Sequence, residues 1–443
     1  MPVLLEEVPL LIRLEREVEG KYRDRQRVLL EEKIRALDVS LAGIVPRCEI
    51  CGRPMKNKGR KPSSFISRFG RIVLAPVTFR CNKCKRNVRP LMDKLGVELG
   101  RISGSLARLL AILGVVVPYQ LAARLAFLFF GVEVSAMAVW RAVQRLGEAC
   151  DQHQEAQVQY HTNAHATLDE PACAPPVVVL GVDGCSLGMQ VRKQRRHRKT
   201  ADEILPALPP VKDGHFREVK TGVVLLPSHR TEPSPGRRSL VRRVLVTCLG
   251  NADLIFDHLW TKLLILGWLG PATVVVIVGD GAKWIWNRAS LFPNCCEILD
   301  FWHAIEKAWE FARLRYGEES KAATRWVSRI DQDLRAGKVE AVIARLRLLK
   351  PRSPEEQDTL DGLIKYYTDN TCRMRYDEYL RLGYGIGSGA VESAHKQVVH
   401  ARLRQAGMRW SEAGARRLLA LRVLLLNNDW SMLDRLRMRP LAA

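Results

Sequence analysis

Two stretches of the sequence, VVVLGVDG at 177–184 and TVVVIVGDG at 273–281, are apolar runs that end in Asp-Gly. Uninterrupted runs of this kind are typical of strands that are buried on both faces of a sheet. A carboxylate at the end of a buried strand is costly unless a cation or a metal ion lies beside it. Asp280 alone could be the N-cap of a following helix, but Asp183 and Asp280 on neighbouring strands favour a shared site.

The segments around these runs predict the rest of one mixed sheet. Further strands are expected at 219–226, 240–249 and 295–299, and helices at 251–269 and 283–290. The predicted order is three strands, a helix, a strand, a helix and a last strand. This is the order of elements in an RNase H-like sheet. We therefore predict an α/β fold of that type, with further modules around it.

The chain is long enough for several domains, with 443 residues of which 47% are hydrophobic and 26% charged, and this composition excludes wholesale disorder. Apolar residues at helical spacing predict two amphipathic helices near the N-terminus. The predicted divisions are N-terminal helices at 1–45, a zinc-ribbon-like module at 46–95, a helix-turn-helix-like DNA-binding region at 96–150, a linker at 151–175, the first part of the RNase H-like core at 176–303, a helical insertion at 304–385 and the C-terminal helices of the core at 386–443.

Positive charge is concentrated in three segments. The net charge is +23, and residues 47–94 alone contain 14 Lys and Arg against two acidic residues. Residues 192–243 hold 14 basic residues against five acidic ones, and residues 396–443 hold ten against three. Binding to nucleic-acid phosphates is the natural explanation. A merely solvated basic surface is one alternative, and a membrane surface is another, although no basic amphipathic helix with aromatic anchors is evident.

Four of the 11 cysteines form two CxxC pairs, Cys48/Cys51 and Cys81/Cys84. Two such turns can close a tetrahedral Zn²⁺ site, and Gly52 after the first pair suits a tight turn. A redox role is the alternative, but two distant pairs in a basic, strand-rich segment do not resemble one redox motif at the start of a helix. We predict a structural zinc ion that holds together a small domain without a large core.

Residues 119–147 have the pattern of a helix-turn-helix motif, with a turn at Gly131 and Ser135 as the N-cap of the second helix. The second helix carries three side chains that we expect to face a DNA groove or phosphates: Arg141, Gln144 and Arg145. A helical hairpin packed by Leu, Phe and Val is the alternative interpretation.

A third carboxylate, Glu392, lies in the Gly-rich stretch GSGAVESA at 387–394. The turn leads into a helix, so Glu392 falls in the first turns of that helix and can face the sheet. Together with Asp183 and Asp280 it would hold two Mg²⁺ ions, which prefer oxygen ligands, and would support an in-line displacement at phosphorus.

Six short motifs carry a resemblance to a known family. They are LGVDG at 180–184, EVKTG at 218–222, GDGAKWIW at 279–286, ILDFWH at 298–303, GSGAVES at 387–393 and RLRQAGMRW at 402–410. Over roughly residues 40–430 the chain resembles bacterial insertion-sequence transposases of the DDE, RNase H-like type, specifically the Kra-type group related to Mutator transposases.

The resemblance implies roles for individual residues. Asp183, Asp280 and Glu392 would be the metal-binding triad. Asp300 and His303 resemble the acid-or-Cys-x-x-His signature of Mutator-like enzymes, so His303 would contact the scissile phosphate or nearby DNA; its alternative role is packing at a helix start. The residues expected to contact DNA, from charge and resemblance together, are Arg141, Gln144, Arg145, Arg192, Arg195, Arg196, Lys283, Lys396, Arg402, Arg404 and Arg409.

The resemblance further implies a transposase that binds the terminal inverted repeats of its own element, cuts there with Mg²⁺ and joins the freed 3′-OH to target DNA. The resemblance also implies a homo-oligomer, because such enzymes act as assemblies on paired DNA ends. We expect a location in the bacterial cytoplasm, associated with the nucleoid, because no apolar run reaches the length of a membrane span and no secretory signal is visible. One alternative is a non-catalytic zinc-containing DNA-binding regulator with a decayed core, but the presence of all three carboxylates argues against it. The other alternative is an RNase H-like nuclease that cuts according to DNA structure.

Overall fold

A computed structural model of the protein describes residues 9–97, 102–163, 168, 174–190, 215–234 and 237–435. The chain divides into two compact units, whose described residues are 9–146 in unit 1 and 147–435 in unit 2. Among the helices within these residues, none combines the length and the apolar character needed to cross a membrane.

Unit 1 combines helices with short antiparallel strands. Its elements are α1 Leu10–Ala42, β1 Lys56–Arg60, β2 Ser63–Ser67, β3 Gly70–Leu74, β4 Val77–Arg80, β5 Asn87–Val88, α2 Pro90–Lys94, α3 Gly104–Val116, α4 Tyr119–Phe130 and the first part of α5, Ala136–Asn163. One sheet has the order β1-β4-β5, and β2 pairs with β3. The short strands and turns predicted for the cysteine-containing module are therefore present.

One continuous helix, α1, replaces the two amphipathic helices predicted near the N-terminus. Gly20 lies inside this helix, where glycine costs about 1 kcal/mol relative to alanine. The ion pair between Glu17 and Lys21, at 2.6 Å, spans this point and offsets part of that cost. Farther along, α1 packs against the β2–β3 hairpin, where Ile34 and Phe65 lie in one buried cluster. Tertiary packing thus supports a helix longer than the local pattern predicted.

The helix, turn and helix predicted at 119–147 are present as α4 and α5. Gly131 ends α4 with a φ of 59°, a left-handed conformation that favours glycine. Ser135 Oγ accepts the Ala138 amide hydrogen at 3.2 Å and so caps α5.

The second helix is longer than predicted, because α5 continues to Asn163. The linker expected at 151–175 is therefore wrong for its first part. Within unit 2, the guanidinium of Arg416 pairs with Asp151 at 3.0 Å and with Glu155, which anchors these polar turns. Residues 164–167 and 169–173 lie outside the described part of the chain.

Unit 2 contains the main sheet and most of the helices. After α5 its elements are β6 Val177–Gly188, β7 Phe216–Leu225, β8 Arg230–Ser234, β9 Arg237–Leu240, β10 Val244–Leu249, α6 Ala252–Ile265, β11 Val274–Gly279, α7 Lys283–Trp286, β12 Cys295–Leu299, α8 Phe301–Tyr316, α9 Lys321–Arg335, α10 Val339–Arg347, α11 Pro354–Asn370, α12 Tyr376–Arg381, α13 Gly389–His395, α14 Ala401–Leu403 and α15 Glu412–Leu426. A π-helical segment, Lys396–His400, connects α13 to α14. The predicted helical insertion corresponds to α8 through α12.

The main sheet has five strands in the order β10-β7-β6-β11-β12. β7 is antiparallel to both β6 and β10, whereas β11 is parallel to both β6 and β12. If the five strands are numbered by their order in the chain, their order across the sheet is third, second, first, fourth and fifth. Every residue of β10 and nearly every residue of β11 is buried, which explains their unbroken apolar sequences. The prediction of an α/β fold with a mixed sheet is confirmed.

Candidate functional site

The register of the main sheet brings two predicted carboxylates to the same level. β6 and β11 pair in parallel, with Gly181 opposite Val278. Two residues farther along, the same register sets Asp183 beside Asp280. Adjacent strands lie about 4.8 Å apart, so the two aspartates are neighbours although 96 residues separate them in the chain.

Asp183 is held from two sides. Its Oδ1 accepts the Gly184 amide hydrogen at 2.6 Å, and its Oδ2 lies 3.3 Å from Nε2 of His395, a buried side chain on α13. Burial raises the pKa of Asp183, but the contact with the His395 imidazole and the hydrogen bond from the Gly184 amide outweigh burial and leave the pKa below its usual value. Burial lowers the pKa of His395, but its interactions with Asp183 and Cys185 raise it to about 9. Asp183 is thus an ionised carboxylate with a fixed orientation.

Asp280 lies in a tight turn. Its Oδ1 accepts the Ala282 amide hydrogen at 3.0 Å, but Ala282 itself occupies the N-cap position of α7, so Asp280 is not the helix N-cap. Gly281 has a φ of 96°, and a Cβ atom there would lie 2.9 Å from the Tyr366 ring. The Tyr366 hydroxyl donates to the Asp280 carbonyl oxygen at 2.7 Å. Glycine after Asp280 is therefore required both by backbone conformation and by the close approach of Tyr366.

Glu392 approaches the same sheet from α13. The residue before it, Val391, packs on β6 so closely that a Cβ atom on Gly181 would lie 3.4 Å from the Val391 Cβ. Glu392 is exposed, and its carboxylate lies within 4.8 Å of ligand atoms of Asp300 and His303. Val391 thus packs the helix that carries Glu392 against the strand that carries Asp183.

His303 interacts with every carboxylate of the predicted triad. Its Nδ1 lies 3.5 Å from Asp300 Oδ1, and this interaction raises the pKa of His303 to about 9 against the opposing effect of burial. Asp280 and Glu392 contribute smaller parts of this increase, and the charge of His303 helps to lower the pKa of Asp183. The imidazole is 34% exposed, so a ligand can reach it. The ligand atoms of Asp300, His303 and Glu392 all lie within 4.8 Å of one another, a group that does not include Asp183 or Asp280. We use the name carboxylate cluster for these three residues together with the two aspartates that interact with His303 electrostatically, Asp183 and Asp280.

Asp300 is fully buried and joins two segments of this cluster. Its Oδ1 accepts the amide hydrogens of Trp302, at 2.6 Å, and His303, at 3.0 Å, and so caps α8. Its Oδ2 accepts the amide hydrogen of Ser388, in the turn before α13. Burial raises the pKa of Asp300, but hydrogen bonds from His303 and Ser388 leave it below its usual value. One carboxylate therefore fixes both the helix that carries His303 and the turn that leads to Glu392.

Sequence analysis gave Asp300 no role of its own and overlooked His395, although signals for both were present. Asp300 directly follows the strand β12, whose register with β11 sets it beside Asp280. Its amide also donates to the Gly279 carbonyl oxygen at 2.7 Å. His395 follows Glu392 by three residues, so the two share one side of α13.

The carboxylates of the cluster suit a hard divalent cation. Among the described residues, no lysine or arginine nitrogen lies within 4.0 Å of a carboxylate oxygen of Asp183, Asp280 or Glu392. Mg²⁺ is bound in proteins by such oxygen ligands. Asp300 lies close to Glu392, but both Asp300 oxygens accept amide hydrogen atoms, which suits a positioning role rather than metal ligation.

The four cysteines predicted to bind zinc lie together in unit 1. Their sulfur atoms are all within 4.8 Å of one another, and Cys51 Sγ lies 3.6 Å from Cys81 Sγ. Each pair is in the same kind of turn: the Gly52 amide donates to the Cys48 carbonyl at 2.8 Å, and the Lys85 amide donates to the Cys81 carbonyl at 2.9 Å. This repeated geometry confirms that the two CxxC pairs form one four-cysteine cluster.

The four-cysteine cluster favours a thiolate at one position. The Cys84 amide donates to Cys81 Sγ at 3.3 Å, and this hydrogen bond lowers the pKa of Cys81 to about 6. The thiol hydrogen bond with Cys51 and burial raise the pKa of Cys84 to about 12. A metal ion takes the place of the thiol protons in such a group, so the donor set is compatible with tetrahedral zinc.

The residues predicted to contact DNA differ widely in exposure. Five are exposed: Arg141, Lys283, Lys396, Arg404 and Arg409. Gln144 and Arg402 are buried, with 6% and 1% exposure, and Arg145 is half-buried. Three lie outside the described part of the chain: Arg192, Arg195 and Arg196. The expectation of direct DNA contact is therefore wrong for Gln144 and Arg402.

The burial of these two side chains has a packing explanation. Gln144 follows Val143 on the face of α5 that is turned into the protein, where both residues are buried. The Arg402 guanidinium lies 5.4 Å from the centre of the Trp410 ring, and its Nη1 is 3.8 Å from Met408 Sδ. Arg402 thus supports the loop that presents Arg404 and Arg409 rather than reaching DNA itself.

A scan of the sequence against models of known protein families found no match, and a search of curated proteins found no similar protein. The chemistry of the carboxylate cluster and the four-cysteine cluster is therefore the basis on which a function can be proposed.

Proposed function

We propose that this protein is a DDE-type DNA transposase with an RNase H-like core, which cuts at the ends of its own insertion sequence and joins the freed strands to target DNA. The observation that carries the proposal is the carboxylate cluster, because the register of β6 and β11 sets Asp183 beside Asp280 and the carboxylate of Glu392 lies within 4.8 Å of the His303 imidazole. His303 and His395 neutralise part of the negative charge of the cluster, and a divalent cation would neutralise the rest, since no lysine or arginine among the described residues pairs with Asp183, Asp280 or Glu392.

The arrangement of the main sheet supports an RNase H-like core. Its first three strands are antiparallel, and the fourth and fifth run parallel beside the first. The two aspartates belong to the first and fourth strands, which are adjacent, and a helix from the C-terminal part of the chain adds Glu392. This combination is the one that the sequence motifs led us to expect.

The residues of the cluster have distinct tasks in the proposed reaction. Mg²⁺ held by Asp183, Asp280 and Glu392 would activate the attacking oxygen and stabilise the leaving oxygen in an in-line displacement at phosphorus. The Gly184 and Ala282 amides hold the two aspartates in fixed orientations. Preorganised ligands of this kind avoid the cost of reorienting carboxylates during the reaction.

Basic side chains near the cluster would bind the DNA backbone. His303 is partly exposed and carries a raised pKa, so its imidazolium would donate to a phosphate oxygen, while Asp300 holds Nδ1. Lys283 follows Asp280 by three residues and Lys396 follows Glu392 by four, and both lysines are exposed. Such phosphate contacts would fix the position of DNA over the carboxylates.

The four-cysteine cluster would bind a structural zinc ion in the DNA-binding part of the protein. Four protein thiols complete a tetrahedral site, so they leave no coordination position for a substrate. Zinc would therefore stabilise the small strands of unit 1 and take no part in the chemical step.

Strand cleavage by Asp280→Asn tests the proposal. Purified protein is incubated with Mg²⁺ and a plasmid that carries the gene with its flanking DNA, and the nicks are mapped by sequencing. We expect the wild type to cut at inverted repeats and Asp280→Asn to fall to background while still binding DNA. Asp361→Asn, which changes an exposed carboxylate on α11, is the matched control and should cut like the wild type.

Each other outcome has a definite meaning. Appreciable Mg²⁺-dependent nicking by Asp280→Asn would refute the assignment of the carboxylates. Binding without cutting by the wild type would favour the DNA-binding regulator. Cutting that follows DNA structure rather than the end sequence would favour the structure-specific nuclease.

A further inference from the structure

We propose that DNA phosphates bind along one exposed edge of the four-cysteine module, which we call the basic edge and define as Lys56, Lys58, Lys61 and Arg80. The proposal rests on the proposed function only in taking DNA as the partner. It concerns a surface to which sequence analysis assigned no individual contact residue, since the predicted contacts in unit 1 were on α5.

The basic edge is built on the outermost strand of the small sheet. In the order β1-β4-β5, β1 pairs on one side with β4 and lies at the edge of the sheet. All five residues of β1, KNKGR, are exposed. Lys61, which follows β1, is also exposed, as is Arg80 at the end of β4. An edge strand with lysines resists pairing with another strand, and this one also offers a row of cations to solvent.

Like charges face one another across this sheet. Lys56 and Arg80 are direct partners in the antiparallel ladder of β1 and β4. Side chains at such positions are about 5 Å apart at Cβ, and like charges there are destabilising. An anion between the two side chains would remove that repulsion, so the pair is better suited to the bound state than to the free protein.

Nearby acids do not neutralise the basic edge. Asp38 pairs with Arg60, and Glu49 pairs with Arg86 at 2.9 Å. Among the described residues, no carboxylate oxygen lies within 4.0 Å of the side-chain nitrogens of the four residues that define the basic edge. The charge of this edge is therefore open to an external polyanion, and duplex DNA provides phosphates in a regular row.

A bulge directs the middle of the edge outward. The register of β1 with β4 shifts between Asn57 and Arg60. Gly59 has a φ of 77°, and its amide donates to Asn57 Oδ1 at 2.8 Å. Bulges of this kind bend an edge strand and re-aim its side chains. Lys58 lies within the bulge, where the ladder gives it no paired residue on β4, and its side chain is exposed.

The alternative DNA surface in unit 1 is less basic. Of the three side chains predicted to face DNA from α5, Gln144 is buried, Arg145 is half-buried and Arg141 is exposed. The end of α4 exposes Phe127 and Phe129, with 57% and 59% exposure, which do not attract phosphates. The basic edge is thus better suited to electrostatic contact with the DNA backbone than the α4–α5 surface.

The salt dependence of DNA binding tests this proposal. The full chain and the variant Lys56→Gln/Lys58→Gln are titrated with a fluorescent 30-base-pair duplex of random sequence at several KCl concentrations, without Mg²⁺. Each phosphate contact contributes about 0.9 to the slope of log K against log salt, so the variant should lower the slope by about 2 and weaken binding roughly tenfold. Thermal unfolding of both proteins checks that the exposed substitutions leave the fold intact.

The matched control, Lys321→Gln/Lys365→Gln, removes the same charge from exposed positions on α9 and α11. It should leave the slope near that of the wild type. An unchanged slope for Lys56→Gln/Lys58→Gln, or an equal decrease in the control, overturns the proposal. The proposal is also overturned if Lys56→Gln/Lys58→Gln loses binding to a single-stranded RNA of equal length but keeps its binding to duplex DNA, because RNA would then be the partner. These outcomes are independent of strand cleavage, so a failure of the proposed catalytic function remains separately visible.

Discussion

The four-cysteine cluster and the carboxylate cluster are both groups of ligand atoms, but they are assembled in different ways. The cysteines come from two short turns of the same shape, at Cys48 and Cys81, and each turn sets its own sulfur atoms. The carboxylates come from β6, β11 and α13, and the sheet register and the Val391–Gly181 contact bring them together. The stability of a site that is built from local turns depends on the ligand it binds. The stability of a site that is built on a sheet depends on the surrounding fold.

The largest effect should follow loss of a zinc ligand. Cys81→Ser in the full chain should release the metal and remove hydrogen-exchange protection from residues 46–95, because structural zinc supplies about 10–16 kcal/mol in small zinc-binding peptides. The strands β6 and β11 should keep their protection, since a large core supports them. Mass spectrometry of exchange and the zinc content of the protein measure both effects.

Cys372→Ser is the control for this comparison, because Cys372 is an exposed free thiol. It should change neither the zinc content nor the exchange of residues 46–95. Full protection of those residues in Cys81→Ser would mean that apolar packing around Phe79, rather than metal, holds the module.

An intermediate effect should follow Asp300→Ala. This change leaves the buried amides of α8 and of the turn at Ser388 without their acceptor, so the free energy of unfolding should fall by about 2–4 kcal/mol. The rate of Mg²⁺-dependent nicking should fall about 10- to 100-fold, because residues that orient metal ligands have effects of this size. Urea unfolding and single-turnover nicking measure the two quantities.

Ser320→Ala removes an ordinary N-cap, that of α9, and so provides the comparison for Asp300. Ser320→Ala should lower the free energy of unfolding by about 1 kcal/mol and leave the nicking rate unchanged. If Asp300→Ala behaved in the same way, Asp300 would be only a helix cap, and the link between α8 and α13 would carry no function.

The smallest effect should follow His395→Gln. The imidazole lies 3.3 Å from Asp183 Oδ2, so its loss should free that carboxylate to rotate without exposing a large core surface. We expect roughly tenfold slower nicking and a higher Mg²⁺ concentration for half-maximal rate, since neighbouring groups orient metal ligands. His400→Gln, an exposed position on the adjacent π-helical segment, should behave like the wild type. An unchanged Mg²⁺ dependence in His395→Gln would contradict this positioning role.

Several features of the fold could be predicted because their causes are local. The strand at 295–299 was predicted with the bounds that the structure has, and the order of the five main-sheet strands and the helices between them followed from apolar runs between turn residues. The short pair of strands β8 and β9 was not predicted. The four cysteines could be grouped because each CxxC pair is a single turn. The Asp-Gly turn after β11 also follows from its sequence, because Gly281 adopts a positive φ.

Other features depend on contacts between distant segments. The continuity of α1 and the extension of α5 to Asn163 need packing and ion pairs that local patterns do not contain. Burial of Gln144 and Arg402 reversed their expected role, because helix packing decides which polar side chains reach solvent. The roles of Asp300 and His395 required knowledge of which strand and helix lie beside them.

The amino-acid sequence alone determined the chemical character of this protein: apolar runs that end in aspartate, paired cysteines and a strong positive charge. These properties belong to individual residues and their near neighbours, so they can be recognised without coordinates. In the structure β6 continues past Asp183 to Gly188, whereas Asp280 does follow the end of β11. Tertiary structure decided which carboxylates share a region, which basic residues face solvent and which side chains support them. The reason is that register, helix packing and burial bring together residues far apart in the chain, and no local pattern specifies those distances.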